Sequence, residues 1–202
     1  MSDPQQSATR ARTRQAIIDA AIGLLAQNRA APLGEIATAA GVGRTTLHRY
    51  FADRAELLAA IDVEGDLRLE QAITRARLDE GTGAEALLRL CQEYFELGDL
   101  LSLMFGEQQA TADASCFGPD EAGPAAGGSE PAGLSTPAFE AAVRRGHHDG
   151  SIDPGLPAYW LESILWAHLY TAWSFTTQGN LTRYEVLRLT LRTLDGAIAG
   201  RR

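Results

Sequence analysis

Lysine is absent from this chain of 202 residues: all 18 of its cations are arginine. That bias speaks of codon usage more than of chemistry. Cysteine is almost as scarce. Cys91 and Cys116 stand alone, with no CxxC and no His/Cys spacing that would hold zinc, so the chain reads as a reduced, cytoplasmic one. No apolar run approaches the roughly 18 residues of a membrane span. The opening MSDPQQSATRARTR has no apolar centre, which excludes a signal peptide. No strand pattern is convincing, so no nucleotide-binding βαβ unit can be assembled. A Walker loop, a GxGxxG after a strand, GxSxG and HExxH are all missing. No catalytic residue, cofactor or metal is therefore expected, and no membrane.

What is present is helix-forming and apolar. A hydrophobic content of 45% supports a real core, and the length suits one large domain or two small ones. The net charge of −8 is unevenly spread. Residues 1–60 hold seven Arg against five acids, a balance of +2, and residues 61–202 hold eleven Arg against twenty-one acids, a balance of −10. This is a basic head on an acidic body, and the body should repel DNA.

The head centres on Ala31 to Glu56, APLGEIATAAGVGRTTLHRYFADRAE. Leu33, Ile36, Ala37 and Ala40 follow the i, i+3, i+4, i+7 spacing of one buried helix face. Gly41 can take the left-handed conformation that ends a helix, and Val42 plugs the turn. A second helix begins near Arg44 and turns Leu47, Tyr50 and Phe51 inward. Its other face carries Arg44, Thr45, Thr46, His48 and Arg49, all hydrogen-bond donors and none acidic. A short helix pinned from behind with cations and hydroxyls in front suits the major groove of double-stranded DNA.

The string IATAAGVGRTTLHRYFADRAELL resembles the DNA-binding domain of the TetR/AcrR family of bacterial transcriptional regulators. The residues that carry the resemblance are Ile36-Ala37, Ala40-Gly41-Val42, Thr46-Leu47-His48-Arg49-Tyr50-Phe51, Arg54 and Leu57. Two positions depart from the family pattern: His48 replaces the usual Tyr, and Gly43 replaces a Ser or Thr cap, weakening it by a few tenths of a kcal/mol. The resemblance implies an all-α protein of about nine helices, with a three-helix helix-turn-helix domain over residues 1–55 and a helical effector-binding and dimerisation domain over 56–202. It implies a homodimer on a near-palindromic operator, released by a small-molecule effector. Arg44, Thr45 and Thr46 are expected at base edges and His48, Arg49 and Arg54 at phosphates, with Tyr50 in the same DNA-facing set.

Around that motif, residues 1–8 read as a disordered tail, and Arg10, Arg12 and Arg14 as either a phosphate or minor-groove arm or a solvated one. A first helix is expected from Thr9 to Gln27. Asp53 and Glu56 form a variant capping box for a fourth helix reaching Leu78, a lever between head and body. A fifth helix is expected over 84–97 and another over 99–109. The Gly- and Pro-rich stretch 111–137 reads as a mobile loop. A helix resumes over 136–146, and Gly146 to Pro157 reads as a connector. Residues 156–178 are greasy on almost every side, so they need both a core and a partner. Residues 183–199 follow with Leu187, Leu191, Leu194 and Ile198 as one stripe and Val186 and Leu189 off it. Two such helices from each of two chains would make a four-helix interface, which is where the resembled family dimerises.

The body's polar groups form no catalytic constellation. His147-His148-Asp149 lies in the 146–157 connector with no third ligand at helical spacing, and reads as a solvated turn. His168 reads as a core or interface histidine more than as a ligand contact. Cys116 has no neighbouring cation to activate it. In the resembled family a pocket among the body helices binds the effector; here Tyr94, Met104, Phe105, Trp166 and Tyr170 are expected to line it, and the lack of buried charge suggests an apolar or neutral ligand. Two rivals remain. An all-α enzyme would need a polar constellation in the body. A ligand-binding protein with a vestigial head would not need the cationic face of Arg44, Arg49 and Arg54.

Overall fold

The computed structural model describes residues 4–105, 136–179 and 181–200. Among them the chain is helical throughout, with a single isolated bridge between Ile152 and Ala199 in place of any sheet. The helices are α1 (Pro4–Gln27), α2 (Leu33–Ala39), α3 (Arg44–Tyr50), α4 (Arg54–Ala76), α5 (Gly83–Phe95), α6 (described over residues 98–105), α7 (Pro137–Asp149), α8 (Ala158–Gln178) and α9 (Arg183–Ile198). The expected loop at 111–137, and Cys116 within it, fall almost entirely outside the described residues.

Two cores organise these helices. The N-terminal one gathers Ile17, Ile18, Ala21, Ile22 and Leu25 of α1, Ile36 and Ala37 of α2, and Leu47 and Phe51 around α3. It also takes in Leu57, Ala60 and Ile61 of α4. The second core is built on α5, which packs against α4, α7, α8 and α9. Its Leu87, Leu90, Cys91, Tyr94 and Phe95 meet Phe139 and Val143 of α7 and Leu161, Leu165 and Leu169 of α8. The segregation of apolar side chains into two stripes at opposite ends of α4 explains the layout: Leu57 and Ile61 enter the first core, Ala72 and Ala76 the second. At 23 residues, α4 spans about 34 Å at 1.5 Å per residue.

Local capping fixes the boundaries. Asp53 accepts from the N–H of Glu56 at 2.9 Å, and the Glu56 carboxylate reaches back to Ala52 at 2.7 Å. Thr82 with Glu85 and Thr182 with Glu185 form complete capping boxes for α5 and α9. At its far end α4 stops at Ala76, two residues short of the expected Leu78, because Arg77 adopts φ 45°. The Arg89 guanidinium collects the carbonyls of Ala76, Arg77 and Glu80, and Arg145 those of Leu78 and Gly81. Arginines of the acidic body thus close helix ends whose carbonyls have no helical partner.

The structure corrects several expectations. α1 begins at Pro4, not Thr9; proline is a favoured first helical residue because its missing N–H is not needed there. α7 runs on to Asp149, so His147 and His148 lie in its last turn and not in a connector. His147 Nε2 sits 3.0 Å from the Leu156 carbonyl, and Asp149 accepts from the N–H groups of Gly83 and Ser151. These polar groups fasten the 150–157 segment to α5 and α7 instead of binding a ligand. In α9 the buried stripe is Val186, Thr190, Leu194 and Ile198. Leu187 and Leu191 are only partly buried, because each lies one residue off the 186, 190, 194, 198 row that is buried.

Candidate nucleic-acid interface

The α2–α3 turn is built by a double hydrogen bond. The N–H of Val42 reaches the Ala37 carbonyl at 2.9 Å and the N–H of Gly41 reaches that of Thr38 at 3.0 Å. Gly41 holds φ 67°, which the closing residue of this motif requires. The turn sets α3 across α2, with Leu47 and Phe51 each 1% exposed. Burying two such side chains contributes roughly 3–6 kcal/mol, enough to hold a helix of 7 residues that would not form alone.

The outward face of α3 presents Arg44, Thr45, His48 and Arg49 to solvent, with Thr46 and Tyr50 half-buried at its edges. The Arg44 guanidinium lies across α2 at Gly34, where a built Cβ would come within 2.5 Å of it. A side chain at position 34 would therefore displace Arg44. His48 Nδ1 lies 3.2 Å from the carbonyl of Ala52. A carbonyl only accepts, so Nδ1 carries the proton, and in the neutral ring Nε2 faces outward as an acceptor.

Around α3 stand cations that spacing alone does not bring there. Arg10 and Arg49 lie 5.9 and 5.7 Å from the centre of the Tyr50 ring, and Arg14 lies 5.3 Å from that of Phe51. Arg10 and Arg14, one turn apart, sit on α1 and not on a loose arm.

Arg54 stands apart. Its guanidinium donates to the carbonyl of Ala31 at 2.6 Å and to that of Arg29. Sequence reasoning set it at the DNA surface, on the strength of its position at a helix start. The fold turns it inward, where it ties the start of α4 to the α1–α2 connector. The same connector reaches the body, since the Arg29 guanidinium donates to the carbonyl of Leu103 in α6.

In the body, four of the five residues expected to line a pocket pack against one another, but none of the five lines either of the two cavities described below. Tyr94 and Trp166 stack with centroids 5.6 Å apart and planes at 11°. Phe105 meets Trp166 and Tyr170 edge-on at 6.1 and 5.3 Å. Met104 is half-buried against the same core. Trp173, outside the five expected residues, completes the group at 5.8 Å from Phe105 and 5.4 Å from Tyr170. Its indole N–H donates to Ser102 Oγ at 3.0 Å. Cys91 lies beneath, with burial pushing its thiol up to about 12, so it is no nucleophile. Two cavities open nearby. One of about 450 Å³ lies between Gln27 of α1, Asp99 and Ser102 of α6, and Trp173 of α8. The other, about 290 Å³, lies between α8 and α9 against His168, Phe175 and Leu189. No group of three or more His, Cys, Asp or Glu among the described residues is disposed to hold a metal, and no described helix is long and apolar enough to cross a membrane.

The family model for bacterial regulatory proteins of the tetR family matches residues 17–61, the span from α1 to the first turns of α4. Over 199 residues the chain is 30% identical to the HTH-type transcriptional repressor LfrR of Mycolicibacterium smegmatis, covering 98% of this chain and 97% of that one. The crystal structure of LfrR in complex with proflavine superposes with a TM-score of 0.66 at 28% identity, over 96% of this chain and 99% of that one. The ketosteroid transcriptional regulator KstR2 of Mycobacterium tuberculosis shares the fold alone, with a TM-score of 0.64 at 17% identity over 93% and 95% of the two chains. A full-length relative, a matched reading head and a shared two-core helical fold lead to one conclusion: the chain belongs to the TetR family of bacterial regulatory proteins and is a DNA-binding transcriptional regulator.

Proposed function

We propose that the protein is a homodimeric repressor of a near-palindromic operator, released by a small molecule bound in the body. The observation that carries this reading is the outer face of α3, where Arg44, Thr45, His48 and Arg49 are exposed on a helix pinned from behind by Leu47 and Phe51. Arg44, Thr45 and Thr46 would meet base edges in the major groove and Arg49 a phosphate, with Tyr50 packed beside them. Neutral His48 offers an acceptor, which suits a base amino group; it would donate to a phosphate only as imidazolium. Residues 1–55 with the first turns of α4 would act as the reading domain, and the remainder as the effector and dimer domain.

Dimerisation is supported by what α8 and α9 leave uncovered. Tyr159, Trp160, Phe175 and Tyr184 are 68%, 51%, 43% and 75% exposed. Large apolar side chains left exposed on one helix pair suit an association site, and two copies of the pair could cover them.

Release by an effector is supported by α6. Leu101 and Phe105 enter the body core, while Leu103 packs on the head core and its carbonyl holds Arg29. A ligand that moves Phe105 would move Leu103, the connector and Arg54 together, and so the spacing of the two heads. A small error in spacing defeats bivalent binding, since the second contact is nearly intramolecular only when the geometry fits. The complex of LfrR with proflavine supports a flat molecule in such a body.

The test is selection of bound duplexes from random DNA with the purified chain. The expected product is two inverted half-sites about one helical turn or slightly more apart, bound with steep salt dependence. Absence of any enriched sequence would refute the reading.

A further inference from the structure

The cavity of about 450 Å³ opens where the head meets the body, with Ala26 and Gln27 of α1 as one wall and α5, α6, α8 and the start of α9 as the others. Junctions between packed units are where small-molecule sites tend to form. The floor is apolar: Phe95 and Leu101 are buried and Trp173 is half-buried. The rim is polar and exposed, and its groups are nearly all short of donors. Thr176 spends its hydroxyl hydrogen on the Ala172 carbonyl at 2.8 Å, and Thr177 spends its own on those of Trp173 and Ser174 at 3.1 and 2.9 Å. Ser102 donates to the Gly98 carbonyl at 3.0 Å. To an occupant these oxygens offer lone pairs only.

Asp99 adds a charge. It is exposed and has no hydrogen bond or ion pair among the described residues. A Cβ built at Gly23 would lie 3.8 Å from Asp99 Oδ2, so the carboxylate is turned toward α1. The cation of the rim, Arg183, is already answered. Its Nη2 donates to the Phe95 carbonyl at 3.0 Å and to the Glu96 carboxylate at 3.1 Å, and its guanidinium lies 4.7 Å from the centre of the Phe95 ring. Trp173 spends its indole N–H on Ser102 Oγ, which leaves its ring to face a ligand, and an indole ring attracts a cation.

From this lining we infer that the head–body joint is a binding site for a small organic ammonium ion. The Asp99 carboxylate and the Thr176 and Thr177 oxygens take its N–H groups, and Leu101 and Trp173 take its apolar remainder. An anion would meet the unpaired carboxylate, and a neutral alcohol would forgo the charge-assisted bond. The acidic body favours a cation over longer range as well. The site goes beyond the effector reading above, since it needs no ligand in the aromatic cluster. Because one wall belongs to α1, an occupant bridges head and body.

The experiment is isothermal titration of the full-length chain, without DNA, against hexylammonium, hexanol and hexanoate, three ligands of one length and three charges. The wild-type chain is expected to bind hexylammonium about tenfold or more above the other two, the worth of one hydrogen bond to a charged group. Asp99→Asn is expected to remove most of that preference and to leave hexanol affinity unchanged. Asp99 lies in the first turn of α6, where a carboxylate also steadies the helix; a merely structural role would weaken all three ligands alike and overturns the inference. Ala26→Trp, which fills the cavity from the α1 side, is expected to abolish hexylammonium binding with the helical circular dichroism retained. Equal affinity of the wild type for the three compounds, or no saturable binding of any, overturns the site. Undiminished hexylammonium binding by a folded Ala26→Trp chain overturns its placement at the joint.

Discussion

The guanidinium of Arg29 donates to the main-chain carbonyl of Leu103, a bond between the α1–α2 connector and the helix that carries Phe105 into the body core. Arg54 holds the other side of the same connector through the carbonyls of Arg29 and Ala31. Three elements that meet nowhere in the sequence are thereby coupled. Replacing Arg29 with Met keeps much of the side-chain length and removes the donors. The substitution should cost about 1–2 kcal/mol, as expected for a charge-assisted bond to a carbonyl, measured by urea denaturation. It should also reduce the effect of ligand on operator affinity while leaving ligand affinity in place.

Arg54 separates a structural role from a DNA contact. If it ties α4 to the connector, Arg54→Met loses about 1–3 kcal/mol of stability, and operator binding weakens with the slope of log K against log salt unchanged. A phosphate contact would instead lower that slope by about one. Arg49→Ala is the internal control, expected to lower the slope by about one with little change in stability.

Arg44 lies over Gly34, so the two positions should report together. Arg44→Ala is expected to cost about 1–3 kcal/mol on the operator and to relax base preference at one position of each half-site. Gly34→Leu would push the guanidinium off α2 and should reproduce part of that relaxation without touching a charge. Binding arrays of single-base operator variants would show it. An unchanged preference in both variants would place base reading elsewhere on α3.

Asp149 gives the body a pH dependence of known sign. Hydrogen bonds from the Ser151 hydroxyl first, then from the N–H groups of Ser151 and Gly83, hold its carboxyl below the ordinary value. A carboxylate depressed in the folded state stabilises above its unfolded pKa of about 4, and that contribution is lost as pH falls through the lower folded value. Asp149→Asn should therefore melt below the wild type at pH 7, and the gap should narrow as pH drops below about 4. Thermal melts across that range measure it.

The exposed face of α8 and α9 should control association. Trp160→Glu with Phe175→Glu places charge where two copies would bury it, and should give a monomer in light scattering at micromolar concentration. Specific operator affinity should fall by about 10²-fold or more, as the second head becomes an independent binder, with the helical circular dichroism retained.

The amino-acid sequence by itself determined whatever depends on neighbours along the chain. The period of Leu33, Ile36 and Ala37, Gly41 after them, the Asp53 cap and the Thr182–Glu185 pair are local devices, and each produced the helix or turn its chemistry implies. The polar, acid-free face of α3 is equally local, since 3.6 residues per turn sort side chains without reference to the rest of the fold. The tertiary structure decided what depends on distant partners. Arg54 reads as a phosphate contact until α1 and α2 bring the Ala31 carbonyl against it. His147 and Asp149 read as loop groups until α5 packs on α7. Leu187 seems a better core residue than Thr190 until α9 turns toward α5 and α8. Trp173 belongs with Phe105 only because α6 and α8 cross there. Helix-forming pattern is a property of a segment, but the partner of a polar atom is a property of packing, and no spacing along the chain encodes it.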